Sequence, residues 1–236
     1  MEENRPRKVN TIKNYVTPEQ IKERLRQKKK NPVKHRRIIS INPQDFADIL
    51  KLEGDLVLRD RGELDNQNNP LNFEIFPHLK NAINQYYSYT TGKQYFINSG
   101  FCLSGAAGLG KTVLQLSFLN MLRTIGAIKG YRHINARTFH KLDDRQKYEQ
   151  GVLFIEEFGK NPAVIKDYGT EEKPLENLLM RRYETNQITF ADANLSEKTL
   201  KEIYGPLLSD RFNRMFNFVE LPSECNGKRI NSIRKK

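Results

Sequence analysis

Beyond residue 100 the chain alternates short, continuous apolar runs with segments of helical periodicity. Phe101-Cys102-Leu103-Ser104, Gly151-Val152-Leu153-Phe154-Ile155 and Gln187-Ile188-Thr189-Phe190-Ala191 read as strands buried on both faces. Between and around them lie helical stretches, a pattern that predicts an α/β fold: a parallel sheet flanked by helices. Upstream, Leu79, Ile83, Tyr86 and Tyr87 recur at helical spacing and predict an amphipathic helix over Pro77 to Tyr89. Asn42-Pro43 starts another capped helix, expected to close near Gly54, and residues 55–72 read as a loop or linker. Near the amino end, Thr17-Pro18-Glu19-Gln20 has the form of a capping box. The helix it starts carries only Ile21 and Leu25 on an otherwise Lys/Arg surface, too thin a stripe to join a core by itself. It either floats or folds on a partner.

The turn after the first of these strands carries the chemistry. Gly105-Ala106-Ala107-Gly108-Leu109-Gly110-Lys111-Thr112 is a complete G-x-x-x-x-G-K-[ST] phosphate-binding loop, and Val113-Leu114-Gln115-Leu116 leaves it with helical character. Glycines let backbone N–H groups turn inward around a polyphosphate, and the helix N-terminus adds partial positive charge. In this arrangement Lys111 reaches the β- and γ-phosphate oxygens of ATP, and the Thr112 hydroxyl ligates Mg²⁺.

The second strand ends in two carboxylates, Glu156 and Glu157. Ligands of parallel sheets gather at the carboxyl ends of strands, so the first is expected on the magnesium side and the second beside an attacking water. Glu156 stands where a shorter Asp is usual, and octahedral Mg²⁺ is sensitive to that difference, which points to slow turnover. The third strand ends at Asn194, which either hydrogen-bonds the lytic water or γ-phosphate or caps the helix starting near Ser196; Ser196 can do the capping instead. Arg211 and Arg214 share one helix face further on and fit a guanidinium offered across a subunit boundary, surface arginines, or arginines on DNA.

Charge changes the picture of the ends. Residues 1–40 hold thirteen Lys/Arg against four Glu, a net +9, and residues 228–236 hold five more basic residues. The stretch 41–227 is left at −2 out of a total of +12. Two basic ends on a near-neutral body fit either solubilising tails or, as the segregation of charge favours, contacts with nucleic-acid phosphates or an acidic partner, salt-sensitive and without base-specific readout. No stretch has the roughly 18–20 consecutive apolar residues of a membrane span, and the amino end lacks an apolar signal region. Cys102 and Cys225 are the only cysteines, and Cys102 falls in a predicted buried strand, so a reduced thiol and a cytoplasmic location are expected.

Taken together, Gly105–Thr112, Leu153–Glu157, Ala193-Asn194-Leu195-Ser196 and Tyr204-Gly205 followed by Ser209-Asp210-Arg211 resemble the AAA+ ATPases of the DnaC-type helicase-loader family. IstB-type transposition ATPases are similar. The resemblance covers about two-thirds of the chain, from Leu79 onward. It implies an AAA+ ATPase domain over residues 73–236, preceded by a small basic, helical, partner-binding region and linker at 1–72. It further implies Glu157, Asn194 and Arg211 as catalytic residues, with Asn194 as sensor 1 and Arg211 as arginine finger. Thr112 and Glu156 would face Mg²⁺, and ATP would favour self-association. The implied partners are a DnaB-like replicative DNA helicase and single-stranded DNA; an IstB-like protein would hold a transposase instead. The 25 residues after Arg211 are too few for a full C-terminal lid, as in DnaC, and the stretch from Tyr131 to Gly151 is short for the helical structure that lines the DNA path in that family.

Overall fold

The computed structural model describes Glu19 and residues 37–65, 67–93, 99–162, 164–167 and 170–222. The chain divides into units of residues 1–34 and 35–236. The expected helix at 18–30, apart from Glu19, and the basic tail at 228–236 lie outside the described residues.

Five parallel strands form the central sheet of the second unit: β1 (Gly100–Ser104), β2 (Tyr131–Asn135), β3 (Val152–Glu156), β6 (Thr189–Ala193) and β7 (Phe216–Glu220), in the order β2-β3-β6-β1-β7. A short antiparallel hairpin, β4 (Ile165–Asp167) and β5 (Thr170–Glu172), follows β3. The α-helices of this unit among the described residues are α1 (Pro43–Asp60), α2 (Lys80–Thr90), α3 (Lys111–Thr124), α4 (Pro174–Glu184) and α5 (Glu197–Met215).

Alternation along the strands feeds two cores. Phe101, Leu103, Phe154 and Phe190 face α1, α2 and α3. Cys102, Leu153, Ile155, Ala191 and Ala193 face α4 and α5. A three-layer sandwich results, with the sheet buried on both sides. On the first face Tyr86 stacks on Phe118 at 3.9 Å between centroids, and its hydroxyl donates to Gln115 of α3. The outer strand β2, Tyr-Arg-His-Ile-Asn, keeps only Ile134 buried, so its hydrophobic signal is weak. Between β2 and β3 the chain forms two 3₁₀ turns, Phe139–Lys141 and Gln146–Glu149, in keeping with the short connection noted in the sequence.

Helix α1 runs six residues past the expected stop. Asn42 caps it through its side chain to the Asp45 N–H at 2.9 Å, with Pro43 behind it, as the sequence indicates. Gly54 does not end it. A Cβ there would lie 2.3 Å from the Phe73 ring, so this glycine makes room for packing inside the helix. The terminator is Gly62, at φ 65°. Phe46 and Leu50 of α1 are buried against the P-loop side of the sheet. Residues 37–65 and 67–72, grouped by sequence with the N-terminal region, therefore pack as part of the 35–236 unit. In α5, Gly205 (φ 73°, ψ 173°) and Pro206 break the helix into two arms.

Candidate functional site

The carboxyl ends of β1, β6 and β3 meet at one edge of the sheet. From Ser104 the chain enters the glycine-rich turn, where Gly108 and Gly110 take φ 85° and 78°, a region open to glycine and strained for other residues. Such turns aim successive N–H groups into one concavity, and the start of α3 lies at its rim. Leu109 is buried and pins the tip of the loop, and its carbonyl meets His78 Nε2 at 3.2 Å.

Lys111 opens α3 and is itself buried, which pulls its ammonium below the ordinary lysine range, with Asp192 opposing the shift. Its Nζ donates to the carbonyls of Gly105 (2.9 Å) and Ala106 (2.6 Å) and to Asn194 Oδ1 (2.8 Å). The lysine thus folds back under its own loop and ties it to the end of β6. The sequence left Asn194 between two roles, and the structure separates them. Ser196 caps α5, its Oγ accepting from the Thr199 N–H at 3.2 Å, while Asn194 holds Lys111.

Thr112 Oγ1 donates to Asp192 Oδ2 at 2.5 Å. The sequence nominates Glu156 for that side of Thr112; the carboxylate hydrogen-bonded to it is Asp192, from the neighbouring strand. Asp192 is 3% exposed, and its other oxygen accepts the Glu157 N–H at 2.8 Å. Burial pushes its carboxyl above the ordinary carboxylate range, and the hydrogen bonds from Thr112 and Glu157 offset part of that rise.

Glu157 lies at φ 56°, a left-handed conformation that non-glycine residues rarely take and that clusters at functional sites. Its carboxylate pairs with Arg137 Nε at 2.8 Å and accepts from Asn135 Nδ2 at 3.1 Å. Glu156 pairs with His133 Nε2 of β2 at 3.3 Å. Lys111, Thr112, Asn194 and the start of the Glu157 turn are therefore gathered around Asp192. Arg211 lies elsewhere, on α5: its guanidinium sits 5.0 Å over the Tyr183 ring and contacts Met180 Sδ. Among the described residues no hydrogen bond or ion pair links it to the P-loop.

Sequence reasoning missed Asp192, Asn135 and Arg137. For Asp192 a signal existed. An acid inside an otherwise apolar strand, two residues before Asn194, must share that residue's face. Asn135 and Arg137 carried none, since a polar edge strand looks like a loop.

No protein-family model matches the sequence, and no curated protein matches it either. Solved structures do. The DnaC helicase loader is similar with a TM-score of 0.50 at 15% identity, over 64% of this chain and 93% of that one. DnaI is similar with a TM-score of 0.50 at 16% identity, over 70% and 94%. A primosome component from Streptococcus pyogenes serotype M3 gives a TM-score of 0.50 at 15% identity, over 80% and 93%. At such identities the likeness concerns the fold: an α/β fold with a five-stranded parallel sheet flanked by helices, shared with the DnaC helicase loader and DnaI.

Proposed function

We propose that this protein is an ATP-dependent, DnaC-like loader that binds a replicative DNA helicase and places it on single-stranded DNA. The observation that carries the nucleotide half is the Lys111–Asn194 hydrogen bond at 2.8 Å. It joins a complete phosphate-binding loop to the end of the neighbouring strand inside an AAA+ core fold. The loader half is supported by the order of the sequence blocks at Ala193–Ser196, Tyr204-Gly205 and Asp210-Arg211, and by the shared fold with DnaC, DnaI and the primosome component.

In this reading Gly105–Thr112 wraps the phosphates of ATP. Lys111 exchanges the carbonyls of Gly105 and Ala106 for phosphate oxygens, which releases Asn194 toward the γ-phosphate. The residues fit Mg²⁺: a hydroxyl at Thr112 with a buried carboxylate beside it, the remaining positions left to phosphates and water. Magnesium supplies charge neutralisation on the phosphates. Glu157 orients the attacking water once its carboxylate leaves Arg137 and Asn135. Arg211 reaches the phosphates of a neighbouring subunit after giving up Tyr183 and Met180. The basic 1–40 and 228–236 segments grip helicase and DNA.

A second reading has a specific observation behind it. With Glu157 doubly held by Arg137 and Asn135, the protein would bind ATP as a structural ligand and hydrolyse little. Light scattering after size exclusion, with and without ATP and single-stranded DNA, tests the assembly on wild type and Arg211→Ala. Assembly that requires ATP and is lost in the variant supports the loader; a monomer throughout removes Arg211 from any intersubunit role. Capture of a replicative helicase rather than a transposase by the full chain decides the partner. Turnover no faster than that of Glu157→Gln, with DNA and helicase present, decides for the scaffold.

A further inference from the structure

Resting on the nucleotide reading above, we propose that Asp192, rather than the strand-terminal Glu156, is the carboxylate that faces the divalent cation accompanying the nucleotide. The phosphate-binding loop designates the Thr112 hydroxyl as the protein ligand of that cation. The hydroxyl already donates to Asp192 Oδ2 at 2.5 Å. The strand order gives the reason. β6 lies directly beside β1, whereas β3, which carries Glu156, is one strand further away, about 5 Å more across the sheet. An aspartate on β6 sits one strand from the loop it serves.

Three further observations point to a cation. Asp192 is 3% exposed, yet no ion pair joins it to a lysine, arginine or histidine among the described residues. The Lys111 ammonium acts on it only from a distance, beside the hydrogen bonds from Thr112 and the Glu157 N–H, and a cation on Oδ2 would offset the cost of charging so buried a carboxyl. Its Oδ1 is fixed by the Glu157 N–H at 2.8 Å, which leaves Oδ2 turned to Thr112. Lastly, Glu156 is engaged with His133 of the outer strand at 3.3 Å. Among the described residues no group of three or more His, Cys, Asp or Glu could hold a metal by itself. The protein thus offers the Thr112 hydroxyl and the Asp192 carboxylate bonded to it, while Glu156, on the adjacent strand and near enough for its charge to act on Asp192, is turned to His133; so sparse a set suits Mg²⁺ when phosphates and water complete its shell. The aspartate missing from the end of β3 is supplied by β6.

The same residue links the two halves of the site. One oxygen meets the loop that would hold the phosphates, and the other meets the backbone of the turn that carries Glu157. A cation drawing on Oδ2 therefore acts on a group that also fixes this turn.

The test is the affinity of the full chain for a fluorescent ATP analogue, measured in Mg²⁺ and again in EDTA, with bound Mn²⁺ counted by electron paramagnetic resonance. For wild type, magnesium is expected to tighten binding on the order of tenfold. In Asp192→Asn the gain from magnesium, taken relative to the variant's own affinity in EDTA, falls below about twofold and the bound Mn²⁺ is lost. Glu156→Gln keeps both the gain and the Mn²⁺. Asp192→Ser, smaller and equally neutral, should reproduce the loss and serves if the asparagine variant does not fold. A full magnesium gain in either folded Asp192 variant, or its loss in Glu156→Gln alone, overturns the assignment while leaving the nucleotide reading standing. Wild type that binds no analogue in either buffer overturns the nucleotide reading itself, and this assignment with it.

Discussion

Replacing Arg182 by leucine should destabilise the domain heavily while leaving nucleotide affinity intact. Arg182 is fully buried in α4 and meets neutral acceptors only. Its Nε donates to Thr189 Oγ1 (2.9 Å), Nη1 to the Tyr148 carbonyl (2.6 Å), and Nη2 to the carbonyls of Gly151 (2.8 Å) and Ile188 (2.6 Å). Burial pushes its guanidinium down to about 9, which still leaves it charged at neutral pH. The fork stitches together the segments entering β3 and β6. Leucine leaves three carbonyls and a hydroxyl without this donor, each worth about 1–3 kcal/mol. Removing the desolvated cation offsets part of that loss, and the unfilled volume adds to it, for a net of about 3–5 kcal/mol. At about 2–4 °C per kcal/mol for a domain of this size, Tm should fall by roughly 6–20 °C in thermal unfolding. Arg182→Lys, which keeps a charge but not the fork, should fall between leucine and wild type. The clamp lies at the amino ends of the strands, about 16 Å from the phosphate loop edge, so ATP affinity should be unchanged. A Tm loss under about 3 °C, or lysine equal to arginine, refutes the clamp.

Other predictions follow from the same geometry. Asp192→Asn should raise the stability of the nucleotide-free protein at neutral pH: a carboxyl whose folded pKa is raised stabilises fully below its unfolded value near 3.8 and loses that contribution as pH rises through the folded value. The Tm gap between variant and wild type should therefore widen from acid toward neutral pH, and a constant gap would contradict this. Arg137→Ala loosens Glu157 by removing a half-exposed ion pair worth about 0.2–1 kcal/mol. Basal ATP turnover should then rise, by at most about fivefold, in a coupled-enzyme assay; no rise means that the pair does not restrain Glu157. Gly100→Ala places a Cβ 1.9 Å from the Thr189 carbonyl oxygen, inside the β1–β6 pairing, where neither backbone can yield cheaply. A cost near 3 kcal/mol lowers Tm by about 6–12 °C, and a tolerated alanine would mean that the two strands lie further apart.

What the sequence made legible depended on whether a residue's job shows in its own neighbourhood. The phosphate loop is a local motif, and Lys111 and Thr112 lie where it implies. The Ser196 cap was readable because a cap is defined by its distance from a helix start, whereas the Asn194 bond to Lys111 was not. Gly54 misled, since a helix-stop residue and a helix residue that vacates space for a ring look alike until Phe73 arrives from 19 positions away. Strand β2 hid for the opposite reason: an edge strand with one buried residue has no apolar run to betray it. The contacts of Asp192 depend on strand order. No spacing rule reveals that β6, and not β3, lies beside β1.

Arg182 and Asp192 are both ionisable and both buried, one gripping the amino end of β6 from α4 and the other standing near its carboxyl end, yet their surroundings argue for different purposes. Every partner of Arg182 is a static carbonyl or hydroxyl that needs a donor permanently, so its worth lies in the folded state alone. The partners of Asp192, Thr112 and the Glu157 N–H, belong to the candidate nucleotide site, and one of them is a backbone held at a strained φ. A residue retained for the fold should lower Tm when lost and leave the ligand-induced rise in Tm unchanged. A residue retained for the ligand should raise the baseline and shrink that rise, because stabilisation by a ligand grows with its affinity for the native state. The comparison needs only thermal melts of the two variants with and without ATP and Mg²⁺. Arg182→Lys should melt lower with an undiminished nucleotide increment. Asp192→Asn should melt higher with a reduced one, and the reverse pattern would mean that the buried carboxylate belongs to the scaffold.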